Sequence, residues 1–432
     1  MRYLYSALLY ALMPLVLLRL LWRSRRAPAY RQRLAERFGI FDTDFDSGTP
    51  TIWLHAVSVG EVLAAAPVIE SLLLTYPGQR IVVTTTTPTG SQQVSTLFGE
   101  RVFHVYAPWD LPGAVRRFLR RTRPALLLLM ETELWPNLLH CTRAGGCKIM
   151  LANARLSERS ARGYARFPRF TRELLATLDT VACQSAADGQ RFVALGLPLE
   201  ALQVTGSIKF DLDLDAPIRA RVASLRRDFA ADTRPVVLAA STHRGEDEQI
   251  LAAFARLRQA RDNCLLVLVP RHPERFDAVH ALCAREGWQV LRRSAGIEPA
   301  VGDDVMLGDT MGELVLLLGV ATVAVIGGSL VDRGGHNALE AAAWGVPEVT
   351  GPSMYNFVEI SALLTAAGAM IMLDDPQQLA PCLIALLGDA QRCREMGAAG
   401  QQGVADNRGA KHQLMALVAK NLDSAGNGCQ RN

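Results

Sequence analysis

The stretch from Ile326 to Ile360 constrains the fold more than any other part of the chain. An apolar run, Ala321 to Ile326, leads into it and is typical of a buried parallel strand. Four glycines follow within nine residues, and then ALEAAAWG, which is rich in helix-forming residues. Gly345 is placed to end that helix, and Pro347 prevents its continuation. The order of strand, glycine loop, helix and strand predicts a Rossmann-like unit.

The glycine-rich loop before this helix suits a phosphate group. Glycine lets backbone N–H groups approach a phosphate closely, and the amino end of a helix favours its negative charge. Glu340 lies one turn into the helix, where a carboxylate can accept hydrogen bonds from ribose hydroxyls. Because a glycine loop alone often forms only a tight turn, the prediction of a nucleotide site depends on the ordered combination of GG, GGHN and LE.

The composition is typical of a protein with two domains. A chain of 432 residues exceeds one ordinary domain, and a hydrophobic share of 50% is enough for two cores. The net charge of +4 is too small for bulk electrostatics to indicate a nucleic-acid partner. The eight cysteines show no CxxC or CxxH spacing. This pattern favours reduced thiols in a cytosolic protein over a disulfide framework or a zinc site.

The amino-terminal stretch is apolar and is followed by arginines. The run from Tyr3 to Leu18, extended to Trp22, approaches the roughly 20 apolar residues of a membrane span. The arginines that come next are Arg23, Arg25, Arg26, Arg31, Arg33 and Arg37. Such a cluster stays on the cytoplasmic side and attracts anionic lipid, whereas a cleavable signal peptide carries its charge before the apolar core. The order predicts an uncleaved single-pass anchor, with a buried helix as the alternative.

A carboxylate follows the first strand-like run of the chain. TIWLHA, from Thr51 to Ala56, leads into VSVGEVLAAAPVIESLL, in which Ser58 and Gly60 form a turn and Glu61 opens a helix. A loop after a parallel strand delivers its side chains to the sheet edge where ligands usually bind. Glu61 is therefore a candidate functional residue. The alternative is a carboxylate that only stabilises its helix, by about 0.3–1 kcal/mol, through the helix dipole.

Two more carboxylates end a fully apolar strand. PALLLLM, from Pro124 to Met130, continues into ETELWPN. In an extended chain Glu131 and Glu133 share one side, because side chains alternate along a strand. Carboxylates at the end of a buried strand are costly without partners, which indicates a function. Further along the chain, Lys209 lies in TGSIKFD. An isolated lysine is ordinarily a surface group.

The second half of the chain repeats the alternation of apolar runs and helical segments. LLVLVP, from Leu265 to Pro270, reads as a buried strand that ends in Arg271 and His272. Arg271 can pair with a phosphate and His272 can donate a hydrogen bond, although a structural histidine is the alternative. In VMLGDTMGELVLL a loop enters a helix.

The sequence DLDLD, from Asp211 to Asp215, imitates a DxD metal motif, but it does not close an apolar strand, so a solvated linker is favoured.

These motifs, in this order, resemble the Kdo (3-deoxy-D-manno-octulosonic acid) transferases, which are GT-B glycosyltransferases of lipopolysaccharide assembly. The shared stretches include YRQRLAERFG, VSVGE, TTTTPTG, ETELWPN, NARLSERS, TGSIKFD, PRHPERF and DTMGEL, besides the glycine stretch. The resemblance covers the chain from Tyr30 to about Gly397. The chain departs from the family at Ala341, where a proline is usual, and at Glu348, where the strand is usually more apolar.

The resemblance implies an α/β protein of the GT-B class, with two doubly wound Rossmann-like domains facing a central cleft and an N-terminal membrane-anchor helix. The expected segments are the anchor at 1–22, an acceptor-binding domain at 23–212 and a domain that binds a CMP-sugar at 213–432. The final helix is expected to cross back to the first domain.

The resemblance also implies residue roles. Glu61 would be the general base, and Glu131 and Lys209 would stabilise the transition state. The implied nucleotide-binding residues are Arg271, His272, Met311, Gly312, Glu313, Ser329, Gly335, His336, Asn337, Ala338, Leu339 and Glu340. The implied reaction moves Kdo from CMP-Kdo to a lipid A precursor (lipid IVA) with inversion, at the cytoplasmic face of the inner membrane. It needs no metal ion, because GT-B enzymes generally stabilise the leaving group with side chains and a helix dipole, and no nucleic-acid partner is expected.

Other functions fit the same pattern. Another membrane-associated GT-B enzyme could use a UDP-sugar, and a nucleotide-sugar epimerase shares the fold, although it needs no anchor. A non-catalytic, membrane-tethered nucleotide-binding module is the alternative from a different class. The joint presence of Glu61, Glu131 and Lys209 favours an enzyme over that module.

Overall fold

The computed structural model describes residues 1–25, 28–43, 45, 50–300 and 302–429. The chain divides into two units: unit 1 comprises Met1–Asp211 and Arg408–Asn432, and unit 2 comprises Leu212–Asn407. Arg26, one of the arginines of the predicted cytoplasmic cluster, lies outside the described residues.

Unit 1 is built on a sheet of seven parallel strands. They are β1 (Thr51–His55), β2 (Ile81–Thr85), β3 (Phe103–Tyr106), β4 (Pro124–Met130), β5 (Lys148–Ala154), β6 (Thr180–Cys183) and β7 (Leu202–Val204). The strand order is β3-β2-β1-β4-β5-β6-β7. The helices that connect them are α1 (Arg2–Ser24), α2 (Val59–Thr75), α3 (Pro88–Phe98), α4 (Pro112–Thr122), α5 (Pro136–Ala144), α6 (Glu158–Ala165), α7 (Pro168–Leu175) and α8 (Ala186–Ala194).

Helices cover both faces of this sheet because its central strands are buried on both sides. In β1, Trp53 packs into one core with helices that include α4, α5 and α7, whereas Ile52 and Leu54 pack into the other with α2 and α3. All three side chains are fully buried. Alternation with period two thus divides each apolar run between two cores. The sheet is doubly wound, as the sequence predicted.

Unit 2 has a second sheet of seven parallel strands. They are β8 (Val236–Thr242), β9 (Leu265–Pro270), β10 (Val290–Arg292), β11 (Val305–Leu307), β12 (Val323–Ile326), β13 (Glu348–Thr350) and β14 (Met370–Met372), in the order β10-β11-β9-β8-β12-β13-β14. Its helices are α9 (Ala216–Asp228), α10 (Asp247–Ala260), α11 (Phe276–Arg285), α12 (Leu314–Leu318), α13 (Leu339–Trp344), α14 (Val358–Ala366), α15 (Leu379–Gly388) and α16 (Ala390–Asp406).

The last helix, α17 (Ala410–Cys429), belongs to unit 1. Leu414 and Val418 are fully buried in the same core as α2 and α3. The carboxylate of Asp211 accepts hydrogen bonds from the backbone N–H groups of Gly409 and Lys411, each at 2.6 Å, and so caps the helix. The residues that hold α17 therefore lie at the point where the chain leaves unit 1 and where it returns.

The DLDLD sequence is more than the solvated linker that the sequence favoured. Its first aspartate, Asp211, caps α17, and its last, Asp215, accepts the backbone N–H of Ile218 at 3.0 Å and caps α9. Aspartates are preferred at such positions because their oxygens accept the N–H groups that a helix leaves unpaired. Asp213 is exposed.

The arginines after the apolar helix have different environments from those predicted. Arg37 is buried in the short 3₁₀ helix Leu34–Phe38, where its guanidinium lies 4.3 Å from the centroid of the Tyr106 ring and donates to the carbonyl of Thr86 at 2.9 Å. Arg33 pairs with Glu36 at 2.6 Å. The prediction that the cluster attracts anionic lipid is therefore wrong for Arg37, which binds the short helix to Thr86 and Tyr106. Arg33 is exposed and donates to the carbonyl of His104 on β3 at 2.9 Å. Arg25 and Arg31 are exposed.

A buried carboxyl group interrupts the core of unit 2. Glu348 lies on β13 and is fully buried. Among the described residues no group donates a hydrogen bond to its two oxygens, although the Ala342 backbone approaches them. Burial raises the pKa of Glu348 well above its ordinary value of 4.5. The group therefore stays protonated in the folded protein over a pH range in which it ionises in the unfolded chain.

Replacement of this group should stabilise the protein. Since the pKa is higher in the folded state, the free energy of unfolding falls as the pH rises above about 4.5, the value for a free glutamate. Glu348→Met keeps the volume without the carboxyl group and should raise the free energy of unfolding at neutral pH by about 1–3 kcal/mol. Chemical denaturation in detergent measures the free energy of unfolding. The increase that Glu348→Met causes should be larger at pH 8 than at pH 5.

The matched control is Glu395→Met, which replaces an exposed carboxylate of the same unit and should change the stability by less than about 0.5 kcal/mol. A Glu348→Met protein that is less stable than the parent at both pH values would contradict the interpretation.

Candidate active site and nucleotide-binding loop

Glu61 lies at the carboxyl edge of the sheet in unit 1, in the first turn of α2. Ser58 is the N-cap of that helix, and its hydroxyl accepts the Glu61 backbone N–H at 3.3 Å. The carboxylate folds back: one oxygen accepts the Val57 backbone N–H at 2.8 Å, and the other accepts the Ser58 hydroxyl at 3.0 Å. This reciprocal arrangement resembles a capping box. The local sequence SVGE thus fixes the position of the carboxyl group before any ligand binds.

The same carboxyl group is tuned for proton transfer near neutral pH. Its residue is only 8% exposed, and burial raises the pKa of Glu61 to about 7, helped by the negative charges of Glu133 and Glu131 and opposed by the two hydrogen bonds. A base is most effective when its pKa lies near the working pH. The group can therefore serve as a general base, besides capping its helix.

Glu131 and Lys209 lie together in unit 1. The Nζ atom of Lys209 is 3.8 Å from Oε1 of Glu131, and both side chains are about one-third exposed, at 29% and 35%. Lys209 lies in a 3₁₀ turn, Ile208–Phe210, that follows β7. Glu131 follows β4 and Lys209 follows β7, which are far apart in the sequence. The two strand ends thus bring a carboxylate and a cation together at the sheet edge that carries Glu61.

The prediction that Glu131 and Glu133 extend strand β4 is wrong. The strand ends at Met130, and Glu131 has a φ of +55°, in the left-handed region that a residue with a side chain rarely adopts. Its backbone N–H still donates to Ala152 of the neighbouring strand at 2.9 Å. The side chain of Glu133 accepts the indole N–H of Trp135 at 2.8 Å. Strained backbone of this kind is frequent at functional sites.

The glycine loop of unit 2 is held by a buried carboxylate. Glu246, fully buried, accepts the backbone N–H groups of Gly328 at 2.7 Å, Leu330 at 2.9 Å and His243 at 2.8 Å. One side chain thus joins the loop after β8 to the loop after β12. Since the two strands are neighbours in the sheet, the carboxylate fixes the spacing of the two loops at its carboxyl edge.

The glycines of this loop are required by close packing. Gly334 and Gly335 have φ values of +82° and +72°. A Cβ atom on Gly335 would lie 2.2 Å from the sulfur of Met354, and one on Gly334 would lie 2.3 Å from the side chain of Asn356. The stretch from Ser353 to Asn356 therefore packs on the glycine loop, and no other residue type fits at these two positions without displacement.

Three of the predicted nucleotide-binding residues have buried side chains. The hydroxyl of Ser329 is used inside the fold, where it donates to the carbonyl of Ile326 and accepts the N–H of Gly351. Ala338 and Leu339 are fully buried. Because each of these side chains is part of the interior, only the backbone groups of the three residues are left for contact with a nucleotide.

The helix after the loop is short and ends where the sequence predicts. Helix α13 has six residues, and Gly345 ends it at a φ of +72°, which confirms the predicted stop. The Val346 N–H donates to the carbonyl of Ala341 at 3.0 Å, which is the bond of a Schellman motif. Because the macrodipole is the sum of aligned peptide units, a helix of six residues contributes little to the binding of a phosphate. The charged side chains around the loop thus become more important.

A cluster of imidazole rings and arginines lies at the carboxyl edge of the sheet in unit 2. His243 follows β8, His272 follows β9, and His336 belongs to the glycine loop. The Nε2 atoms of His243 and His336 are 2.8 Å apart, with the rings stacked, and the His243 and His272 ring centroids are 5.5 Å apart. One of the two bonded nitrogens must therefore carry a hydrogen and the other must accept it.

The electrostatics of this cluster favour an anion. Burial, together with Arg271 and the other two histidines, lowers the pKa of His336 to about 4. Burial, the neighbouring ring of His272 and the cations Arg333, Arg275 and Arg271 also lower the pKa of His243. Burial is the larger cause of both shifts, and the neighbouring positive charge adds to it by opposing protonation. An anionic group such as a phosphate or carboxylate would relieve that repulsion.

A pocket of about 430 Å³ lies in unit 2 beside Glu340. Gly312 also lines it, so the structure brings together the DTMGEL loop and the helix after the glycine loop. Most of the wall is apolar, with Leu212, Leu214, Pro217, Ile218, Val315 and Leu316. Burial raises the pKa of Glu340, and its hydrogen bond with Asn337 and the charge of Arg271 lower it. Glu340, Asp213 and Arg221 are the charged residues of the lining. An apolar wall with a few placed polar groups suits a flat ring joined to a sugar with hydroxyls.

The other predicted residues of the DTMGEL loop differ in their surroundings. Met311 is 65% exposed. Glu313 forms ion pairs with Arg221 at 2.7 Å and with Arg293 at 3.2 Å, and it accepts the hydroxyl of Thr310. These contacts give Glu313 the role of holding the loop.

Two residues of this region, His243 and Glu246, are not among the predicted site residues. The available signal was position: His243 follows an apolar strand just as His272 does, at the edge where ligands bind. The role of Glu246 depends on backbone groups that are about 80 residues away in the sequence.

Comparison of the amino-acid sequence with known proteins identifies similar proteins of one family. A family model described as 3-deoxy-D-manno-octulosonic-acid transferase (kdotransferase) matches residues 32–212. A 3-deoxy-D-manno-octulosonic acid transferase of Haemophilus influenzae is 41% identical over 423 residues, which are 98% of this chain and 99% of the relative. Its counterpart in Bordetella pertussis is 38% identical over 425 residues, or 95% and 97% of the two chains.

A solved structure supports the fold class. The crystal structure of a glycosyltransferase from Rickettsia africae matches 87% of this chain and 99% of its own length, with a TM-score of 0.56 and 12% identity. At that identity the likeness concerns the fold alone. Together with the two seven-stranded parallel sheets, it confirms the predicted GT-B class with two Rossmann-like domains. Because its relatives match over nearly their full length, the chain belongs to the 3-deoxy-D-manno-octulosonic acid (Kdo) transferases and is a glycosyltransferase.

Proposed function

We propose that this Kdo transferase uses CMP-Kdo as the donor and a lipid A precursor, lipid IVA, as the acceptor, with inversion at the anomeric carbon. The observation that carries the proposal is the Glu61 carboxyl group: it is buried and held by two hydrogen bonds, and its pKa of about 7 suits a general base. The UDP-sugar enzyme and the non-catalytic module lose support, because the relatives that match nearly the whole chain are Kdo transferases.

In the proposed reaction, ionised Glu61 takes the proton of the acceptor hydroxyl as the hydroxyl oxygen forms a bond to the anomeric carbon of Kdo. The bond from that carbon to the phosphate oxygen breaks on the opposite face, and CMP leaves with the electron pair. Attack on one face with departure from the other inverts the configuration. Lys209 and Glu131, which lie 3.8 Å apart, stabilise the transition state in this proposal.

The donor nucleotide binds in unit 2. The apolar pocket beside Glu340 and Gly312 supports a site for the nucleoside, with the Glu340 carboxylate as an acceptor for ribose hydroxyls. Arg271, His272 and His336, with the backbone of Gly335 and Asn337, bind the phosphate. The cationic surroundings of the imidazole cluster support this assignment, since they favour the negative charge of the departing CMP.

The chain acts at the cytoplasmic face of the inner membrane in this proposal. The described residues contain one helix long and apolar enough to cross a bilayer, with a mean hydropathy of 1.9 over Arg2–Trp22. Its length and hydropathy support association with a membrane, where a lipid acceptor is concentrated.

A transfer assay tests the donor and the acceptor together. Purified protein in detergent, given CMP-Kdo and lipid IVA, should yield a product heavier by one or more Kdo units in mass spectrometry. The yield should persist in EDTA, because Asp211 and Asp215 of the DLDLD sequence cap helices and the charged residues named above stabilise the leaving group. Activity that EDTA abolishes and Mg²⁺ restores would overturn metal independence, and product from a UDP-sugar alone would overturn the choice of donor.

Loss of the base should slow the chemical step without weakening the binding of the donor nucleotide. Glu61→Gln should lower kcat by about 10²–10⁴-fold, the usual contribution of a positioned base, while calorimetry finds the affinity for CMP unchanged. The matched control is Glu70→Gln on the same helix, where the carboxylate is 44% exposed and pairs with Arg101. Turnover of the Glu61→Gln protein equal to that of the control would remove Glu61 from this role.

The pH dependence should report the same group. Because the base acts in its ionised form and burial raises the pKa of Glu61 to about 7, kcat/KM should rise about tenfold per pH unit below that value and level off above it. Initial rates across this range, with detergent and salt held constant, measure the profile. A rate that is flat through neutral pH, or that falls as the pH rises, is incompatible with this assignment.

A further inference from the structure

One side of helix α1 packs against unit 1 along its whole length. Among the described side chains of α1, the positions that are buried or half-buried recur every three or four residues, as they do on one face of a helix. They are Arg2, Tyr5, Ser6, Leu9, Met13, Leu17, Leu20 and Ser24. The contact therefore extends from the first turn of the helix to its last.

Polar contacts fix the amino-terminal half of the helix. The Ser6 hydroxyl donates to Oδ1 of the fully buried Asn137 at 2.9 Å. The Tyr5 hydroxyl donates to the Asp110 carboxylate, which also accepts the backbone N–H groups of Asn137 and Leu138. These partners lie at the start of α5, next to the sheet edge. The first turns of α1 are thus held by a charged, hydrogen-bonded part of the folded unit.

These contacts are incompatible with a helix that crosses a bilayer. Tyr5 and Ser24 are separated by about 28 Å along the helix axis, and the hydrocarbon core is about 30 Å thick. If Ser24 lay at the cytoplasmic surface of a spanning helix, Tyr5 would lie near the opposite surface. Unit 1 would then have to enter the hydrocarbon for Asp110 to reach Tyr5. The hydrocarbon excludes a charged carboxylate with its backbone partners.

The other side of α1 is apolar and exposed. The exposed side chains include Leu4, Leu8, Leu15, Leu18 and Trp22, which are 56–71% exposed. A helix that is apolar all round must be covered on all sides. Unit 1 covers one side of α1, so the remaining side needs another apolar partner.

The charges around this exposed side are complementary to an anionic surface. Arg19, Arg25 and Arg31 are exposed near the carboxyl end of the helix. Helix α7 packs against α5, as α1 does, and so lies on the same face of the sheet. At the start of α7, Phe167 is 55% exposed and is flanked by the exposed Arg166 and Arg169. Apolar tips among exposed arginines are typical of a surface that meets anionic headgroups.

We infer that α1 lies in the plane of the membrane, between unit 1 and the lipid, rather than spanning the bilayer. Its exposed apolar side enters the boundary between headgroups and acyl chains, and the arginines of α1 and α7 contact anionic headgroups. This inference rests on the membrane association proposed above. It places residue 1 on the same side of the bilayer as the rest of the chain.

An epitope added before Met1 distinguishes the two arrangements. In inside-out vesicles of inner membrane, the cytoplasmic face is accessible to added protease. An in-plane helix leaves the epitope open to cleavage without detergent, whereas a spanning helix places it in the sealed lumen. Cleavage at the same rate with and without detergent supports the inference, and protection that only detergent removes overturns it.

Binding to synthetic vesicles separates this inference from the proposed association itself. The probe is the full chain with vesicles of phosphatidylethanolamine and phosphatidylglycerol, followed by flotation. The double variant Leu8→Glu with Leu15→Glu should bind at least about tenfold less, because each change removes a buried leucine from the lipid. The matched control is Leu74→Glu on α2, which packs on the opposite face of the sheet; Leu74 is 81% exposed, and its replacement should leave binding unchanged.

The outcomes are distinct. If the parent chain fails to float, the proposed membrane association fails, and with it the in-plane helix. If the parent floats and its epitope is protected, the association holds and only the in-plane arrangement fails. If Leu74→Glu reduces flotation as much as the double variant does, the membrane-facing side is not the one assigned to α1.

Discussion

The structure depends on buried carboxylates that accept backbone N–H groups. Glu246 binds three of them and so sets the loop after β8 against the glycine loop. Asp188 accepts the Leu156 N–H at 2.8 Å in unit 1, and the half-buried Asp110 accepts two N–H groups at the start of α5. In a parallel sheet the loops after the strands leave donors without ladder partners, and a buried donor without an acceptor is costly. A carboxylate with two oxygens satisfies several donors and positions the loops at the same time.

Glu61 shows how such a carboxylate becomes available for chemistry. It has the same kind of contact, with the Val57 N–H and the Ser58 hydroxyl, and it also has the repulsion of Glu131 and Glu133 nearby. The contacts stabilise the ionised form, whereas burial and repulsion oppose it, so the two forms have similar free energies near neutral pH. The proposed general base therefore combines a structural cap and a reactive group in one side chain.

Regular features of the chain could be predicted because they depend on local pattern. The apolar runs at 124–130 and 265–270 became β4 and β9 with the predicted bounds, and Gly345 ended its helix as its conformational freedom requires. The failures share a cause. The burial of Arg37 against Tyr106, the capping role of Asp211 and the bonds of Glu246 all depend on residues distant in sequence. The left-handed turn at Glu131 depends on the neighbouring strand β5. Period and propensity contain no information about such partners.

The cap that Asp211 places on α17 has a consequence for how the chain can be divided. The chain leaves unit 1 after Asp211 and returns at Arg408, and this aspartate binds Gly409 and Lys411 on the returning side. Unit 2 is thus a single continuous insertion within unit 1. A gene fragment that ends at residue 211 would lack Leu414 and Val418 and leave one core of unit 1 open to water. Unit 2 can be separated by two cuts in the chain, whereas unit 1 requires its two segments to be joined again.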